Sequence, residues 1–371
     1  MTRPADHLAS LDVLRGIAIL LVFVYHAQLV QVPGFEIQRS DYGAFWLNEG
    51  LGKVRVLWNL VPSAFGFSGV ELFLLISGFL IHHAYLSKGK RLDAKAFMWR
   101  RFWRIYPPYL LALIIFSTTV GHKGAMDLIS HGLLLHNLQN STFFSINPSF
   151  WSLALEFQLY LLYPVLLLSR ARWGMSRTML ALSIISVSLR IALVIHPEMR
   201  APALGASVLT YWLFWAAGAW IAERHLAGRP IFRKHVALMI GLAIAITILR
   251  LTVIYFPARL YVLALFHAAL IEYMLIPSSH TDQLATWPVR ALAFIGISSY
   301  TMYLYHQPLL GWMHAWLAPY HLPLRGVTET LISLLITIPL AYMGYKALEL
   351  PSVRFGSWLR NVTWRAEERS N

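Results

Sequence analysis

The sequence predicts an all-α integral membrane protein, a ten-helix transmembrane bundle with N- and C-termini cytoplasmic and one non-spanning interfacial segment near 126–139. Three observations predict it. Of 371 residues, 57% are hydrophobic and 13% charged, about half the charged share of a soluble globular domain. Ten apolar runs approach the roughly 20 residues that a helix needs to cross a hydrocarbon core of about 30 Å. The basic residues between those runs gather on one side, as cytoplasmic retention of Lys and Arg requires. An ordinary soluble enzyme is excluded. The net charge of +14 follows from that retention rather than from a nucleic-acid partner. The absence of Cys removes disulfides, thiolate metal sites and any covalent cysteine intermediate.

The runs lie at about 9–30, 63–86, 104–120, 150–169, 178–196, 205–223, 236–254, 259–276, 290–312 and 326–347. The segment MDLISHGLLLHNLQ at 126–139 is short and amphipathic and carries two His. If it lies at the interface, the basic stretches at 88–104, 170–177, 224–234 and after Lys346 share one side. About 21 of the 31 Lys and Arg are then inside and about 7 outside. The first run holds Asp12 and Arg15 and lacks a small-residue cleavage pattern, so it reads as a helix and not a signal peptide. No linker or internal repeat divides the chain, and a single domain over 1–371 is expected.

Polar groups deep in a span cost about 2.5 to 3.5 kcal/mol near the centre, so they face the bundle or a cavity. In LDVLRGIAILLVFVYHA, Arg15 and His26 are eleven residues apart, which places them within about 20° on one helix flank and about 16 Å apart along the axis. Asp12 lies one turn before Arg15 and can pair with it. The next run, GFSGVELFLLISGFLIHHAYL, returns inward, so Glu71 falls in the outer half at the depth of His26, where it can orient the imidazole. Gly66, Gly69, Ser77 and Gly78 on that run permit close approach of a helix or a ligand.

In FWSLALEFQLYLLYP, Ser152, Glu156 and Tyr160 recur every fourth residue as one polar stripe, headed by Trp151. In SYTMYLYHQPLL, Tyr303 and His306 sit on neighbouring turns, with His306 in the outer half. His26, Glu71, Glu156 and His306 thus converge in depth. On the inner side, Arg101 and Arg104 share one face beside Arg100, and guanidinium forks suit phosphates. On the outer side, Trp46, Trp58, Phe143 and Phe144 can stack on sugar rings or anchor the interface. No Walker loop, dinucleotide fingerprint, zinc motif or hydrolase elbow is present, and no metal is expected.

Five of these segments, in order over about 300 residues, resemble the membrane acyltransferase family 3, which includes O-antigen and exopolysaccharide O-acetyltransferases. They are LDVLRGIAILLVFVYHA, GVELFLLISGFLI, RRFWRIYPPY, FWSLALEFQLYLLYP and SYTMYLYHQPLL. The resemblance implies transfer of an acyl group, acetyl above all, from acetyl-CoA or another acyl-CoA in the cytoplasm. The acceptor it implies is a hydroxyl of an extracytoplasmic glycan or lipid-linked glycan, and the location a bacterial inner membrane. Arg15 and His26 match the family's essential pair, and Glu71 stands where the family more often has Asp. Arg101 and Arg104 match its donor-binding pair, to which Arg15 and Ser77 are added. His26, Glu71, Glu156 and Arg15 form the expected catalytic set. Trp151, Ser152, Tyr160, Tyr303 and His306 form the expected substrate-binding set. No fused periplasmic hydrolase-like extension is expected. The rival reading is a polytopic transporter, which would move solute without releasing coenzyme A.

Overall fold

The computed structural model describes residues 4–31, 65–89, 92–232, 234–249, 255–276, 286–320, 322 and 325–370. Trp46 and Trp58 lie outside the described residues. The helices in chain order are α1 (Pro4–Gln31), α2 (Gly69–Ser87), α3 (Ala94–Thr119), α4 (Ala125–Gly132), α5 (Phe150–Trp173), α6 (Met175–Ile195) and α7 (Val208–Leu226). They continue as α8 (His235–Leu249), α9 (Tyr255–Leu275), α10 (Trp287–Ile297), α11 (Ser299–Leu317), α12 (Arg325–Gly344) and α13 (Leu350–Ser370). Among the described residues there is no strand, and seven helices are long and apolar enough to cross a membrane.

That number differs from the ten expected runs for local reasons. α3 is 26 residues long, but its first half carries Lys95, Arg100, Arg101 and Arg104. α8 ends at Leu249, and 250–254 lie outside the described residues. The run expected at 290–312 is two helices that meet at Ser298, whose hydroxyl donates to the Ile295 carbonyl at 3.3 Å and so competes with the helical ladder. The segment at 126–139 is the eight-residue α4 followed by a single turn at His136–Leu138. At 1.5 Å per residue it is far too short to cross.

Missing side chains let the bundle close. A Cβ on Gly78 would run into the Trp215 carbonyl and one on Gly218 into that of Leu75, so α2 and α7 touch backbone to backbone. α1 and α10 meet in the same way through Gly16 and Gly296. Around these seams pack the fully buried Trp215, Tyr109, Tyr163, Tyr211 and Phe79. Near the C-terminal end of α7, Glu223 clamps three helices, accepting from Arg170 of α5 and meeting His82 of α2 at 3.0 Å.

α12 continues through a π-helical turn, Tyr345–Glu349, into α13, which lies against α3. Pro107 has no N–H, so the Trp103 carbonyl loses its helical donor. The Ser352 hydroxyl of α13 donates to that carbonyl instead. Trp99 Nε1 donates to the Gly356 carbonyl at 2.7 Å, and the Trp103 and Phe355 rings meet at 5.0 Å.

Candidate active site and arginine-rich cavity

Two imidazoles from different helices meet toward the C-terminal end of α1. His306 of α11 is fully buried, and its Nε2 stands 3.1 Å from Nδ1 of His26 on α1. Their tautomers follow from their other partners. The Tyr303 carbonyl, 2.7 Å from His306 Nδ1, can only accept, so that nitrogen carries the hydrogen and Nε2 presents a lone pair. The Val22 carbonyl, 2.9 Å from His26 Nδ1, likewise assigns a hydrogen there. His26 Nδ1–H is therefore shared between Val22 and His306, and its Nε2 is left as a base.

Neither expected carboxylate fills the orienting role. Glu71 accepts from the Tyr211 hydroxyl at 3.4 Å, and its buried Oε2 has no hydrogen-bond partner among the described residues. Glu156 accepts from the Tyr160 hydroxyl at 2.5 Å. His306, expected with the substrate-binding residues, stands behind His26 instead, because α1 packs against α11 along this stretch.

The stripe on α5 does face one seam. Ser152 Oγ and Tyr303 Oη are 2.6 Å apart, and the Tyr303 ring lies 5.3 Å from that of His306. Both Glu71 and Glu156 lie within electrostatic reach of Tyr303. Two turns deeper, Tyr160 lies 3.4 Å from Ser77 Oγ, and the Arg101 guanidinium stands over the Tyr160 ring at 5.4 Å. Tyr160 thus sits toward the arginines rather than beside the two imidazoles. Ser77, which also accepts from Trp215 Nε1 at 3.3 Å, ties α2 to α5 and α7 and does not line the cavity that holds Arg15, Arg101 and Arg104. Trp151 stacks on the buried Phe143 at 5.6 Å, so Phe143 supports α5 instead of offering a face to a sugar.

At the other end of the bundle lies a cavity of about 400 Å³ whose lining brings Arg15, Arg101 and Arg104 together. Arg100 and Arg360 complete five guanidiniums against the carboxylates of Asp12 and Glu349. Asp12 pairs with Arg15 at 3.5 Å, and Glu349 lies within electrostatic reach of Arg104 and Arg15. The excess of positive charge and the indoles of Trp99 and Trp103 suit a phosphorylated ligand with an aromatic base. Glu349 and Arg360 escape a reading of the spans, since they follow the last of them, and Tyr345 stands unremarked near its end. The acid one turn beyond Lys346 was the available signal.

The non-spanning segment has its own buried polar cluster. Asp127 accepts from the Lys123 backbone N–H at 2.9 Å and from Ser145 Oγ at 2.6 Å, and contacts His131 at 3.2 Å. The His131 and His136 rings stack 3.9 Å apart. Burial holds both imidazoles neutral, lowering that of His131 and taking His136 down to about 2.

No solved structure matches the chain. Among curated proteins it is 24% identical to "Putative O-acetyltransferase SAR0937" of Staphylococcus aureus (strain MRSA252), covering 97% of this chain and 59% of that protein. It is also 24% identical to O-acetyltransferase OatA of Staphylococcus aureus (strain NCTC 8325 / PS 47), over 93% of this chain and 57% of that protein. The chain thus spans less than three fifths of the length of these relatives. The family described as "Acyltransferase domain" matches residues 8–346, nearly the whole chain. The chain is a member of that family, the acyltransferase 3 family.

Proposed function

We propose that this protein moves an acyl group, acetyl above all, from acyl-CoA in the cytoplasm to a hydroxyl of a glycan or lipid-linked glycan outside a bacterial inner membrane. Ten helices cross, and both termini lie in the cytoplasm. The observation that carries this reading is the shared flank of α1. Arg15 lines an arginine-rich cavity at one end, and His26, with Nε2 as a base, stands about 16 Å away along the axis. That span is comparable with an extended phosphopantetheine arm. The O-acetyltransferase names of the relatives support the acyl class.

In this mechanism the inner arginines hold the phosphates of the donor, and the thioester reaches His26 along the seam of Tyr160, Glu156, Ser152 and Tyr303. His26 Nε2 takes the proton of the acceptor hydroxyl as its oxygen attacks the thioester carbonyl. The C–S bond then breaks, and His26 returns the proton to the leaving thiolate. While His26 is charged, its Nδ1–H donates to His306 Nε2, whose ring the Tyr303 carbonyl holds in place. General-base catalysis of this kind contributes roughly 10²- to 10⁴-fold.

The test uses the purified chain in lipid nanodiscs with acetyl-CoA and surface glycan from a strain that lacks the gene. Free coenzyme A is expected to appear in proportion to acylated glycan, and His26→Ala should abolish both. Undiminished transfer by His26→Ala would overturn the mechanism, and solute movement with no coenzyme A release would favour a transporter.

A further inference from the structure

His306 stands in a turn that its own helix cannot close. Pro308 lies inside α11 and has no N–H, so the Leu304 carbonyl, four residues earlier, loses its helical donor. His306 falls between the two. With a rung of the ladder missing, the direction of that turn depends on a partner from outside the helix. Asn147, in the segment between α4 and α5, supplies it. Its Nδ2 donates to the Leu304 carbonyl at 2.8 Å, and both residues are fully buried.

The segment holds that amide in one orientation. Asn147 Oδ1 accepts from the Ser149 N–H at 3.0 Å, so Nδ2 is the end that faces Leu304. The Asn147 carbonyl accepts from the Phe150 N–H at 3.0 Å, which ties the residue to the start of α5. Just before it, Ile146 takes a left-handed backbone, φ 61°, a conformation that a β-branched side chain resists. Ser149, also buried, adds two bonds to the same turn of α11. Its hydroxyl donates to Gln307 Oε1 at 2.7 Å, and its carbonyl accepts from the Tyr303 hydroxyl at 3.2 Å. The grip thus falls on 303, 304 and 307, on both sides of the residue whose Nε2 receives His26 Nδ1–H.

We propose that Asn147 is a positioning residue for the transfer reaction, holding the proline-opened turn of α11 so that His306 Nε2 stays within hydrogen-bond reach of His26. It acts through His306 and touches neither donor nor acceptor. This rests on the acyl-transfer reading above. Misplacing a reacting group by about 1 Å can cost about 10²-fold in rate, so the amide governs kcat and not donor binding.

The experiment measures coenzyme A release from acetyl-CoA with surface glycan, and binding of coenzyme A, for the full chain in lipid nanodiscs. Asn147→Ala is expected to lower kcat by about tenfold or more and to leave KM for acetyl-CoA and affinity for coenzyme A within about twofold. Pro308→Ala returns a helical donor to the Leu304 carbonyl. It should keep kcat within about threefold of wild type, and Asn147→Ala added to it should cost less than about threefold more. If Asn147→Ala alone fails to fold and loses coenzyme A binding, the Pro308→Ala background is expected to restore both binding and activity. Undiminished kcat in Asn147→Ala overturns the proposal, as does an equal loss in both backgrounds or a rise in KM without a fall in kcat. So does an inactive Pro308→Ala protein, since a helical N–H would then not replace the amide. Each of these leaves the acyl-transfer reading intact as long as the wild type releases coenzyme A. A wild type that releases none overturns both.

Discussion

Carbonyl groups that can only accept set the direction of the His26–His306 hydrogen bond, and with it the division of labour between the two rings. His306→Ala removes the acceptor for His26 Nδ1–H. It is expected to lower kcat by about 10²-fold or more and leave KM for acetyl-CoA within about twofold, as steady-state coenzyme A release would show. Glu71→Gln keeps an oxygen for the Tyr211 hydroxyl. Its kcat should fall by less than that of His306→Ala, and the opposite order would restore the carboxylate as the partner of His26. From the sequence, depth and helix face are legible for both residues. Their neighbours are not, because periodicity says which way a side chain points and nothing about which helix it meets.

Elements of the bundle depend on two kinds of close packing. Gly78→Val puts a branched side chain where the Trp215 carbonyl lies. It should lower the melting temperature in detergent sharply, since overpacking costs about 1 to 3 kcal/mol or more. Gly311→Ala, on α11 where an added Cβ meets nothing within 4 Å, should leave the melt unchanged or raise it slightly. The stacked pair on the non-spanning segment makes a separate prediction. His136 titrates near 6.5 when unfolded and near 2 when folded, so below about pH 6.5 the unfolded chain binds the extra proton. Stability from this site is complete above that pH and falls progressively as the pH drops toward 2. His136→Phe should flatten the decline in melting temperature between pH 7 and pH 5, and an equally steep decline in the variant would remove the pair as its source.

On the scale of the molecule, an arginine-rich cavity lies at one end of the bundle and an imidazole pair toward the other. Because the chain contains no Cys, single cysteines report sidedness cleanly. Gln139→Cys and Lys88→Cys both fall at exposed positions. An impermeant maleimide should label the first in intact cells and the second only after permeabilisation. Labelling of both from the same side would end the topology and with it the transfer across the membrane.

Composition, hydropathy and charge by themselves determine that this is a helical membrane protein, because backbone polar groups in lipid must be paired internally and apolar runs of this length do so only as helices. Fourfold spacing likewise determines that Ser152, Glu156 and Tyr160 share a face and that Arg15 and His26 share a flank. The tertiary structure alone decided that His306 rather than Glu71 stands behind His26, and that a helix beyond the last span closes the arginine cavity. Those outcomes depend on which helices can approach, through Gly78 with Gly218 and Gly16 with Gly296, and on a proline-freed carbonyl that finds its donor in α13. Such contacts join residues up to about 280 positions apart, a distance over which no local pattern in the chain carries information.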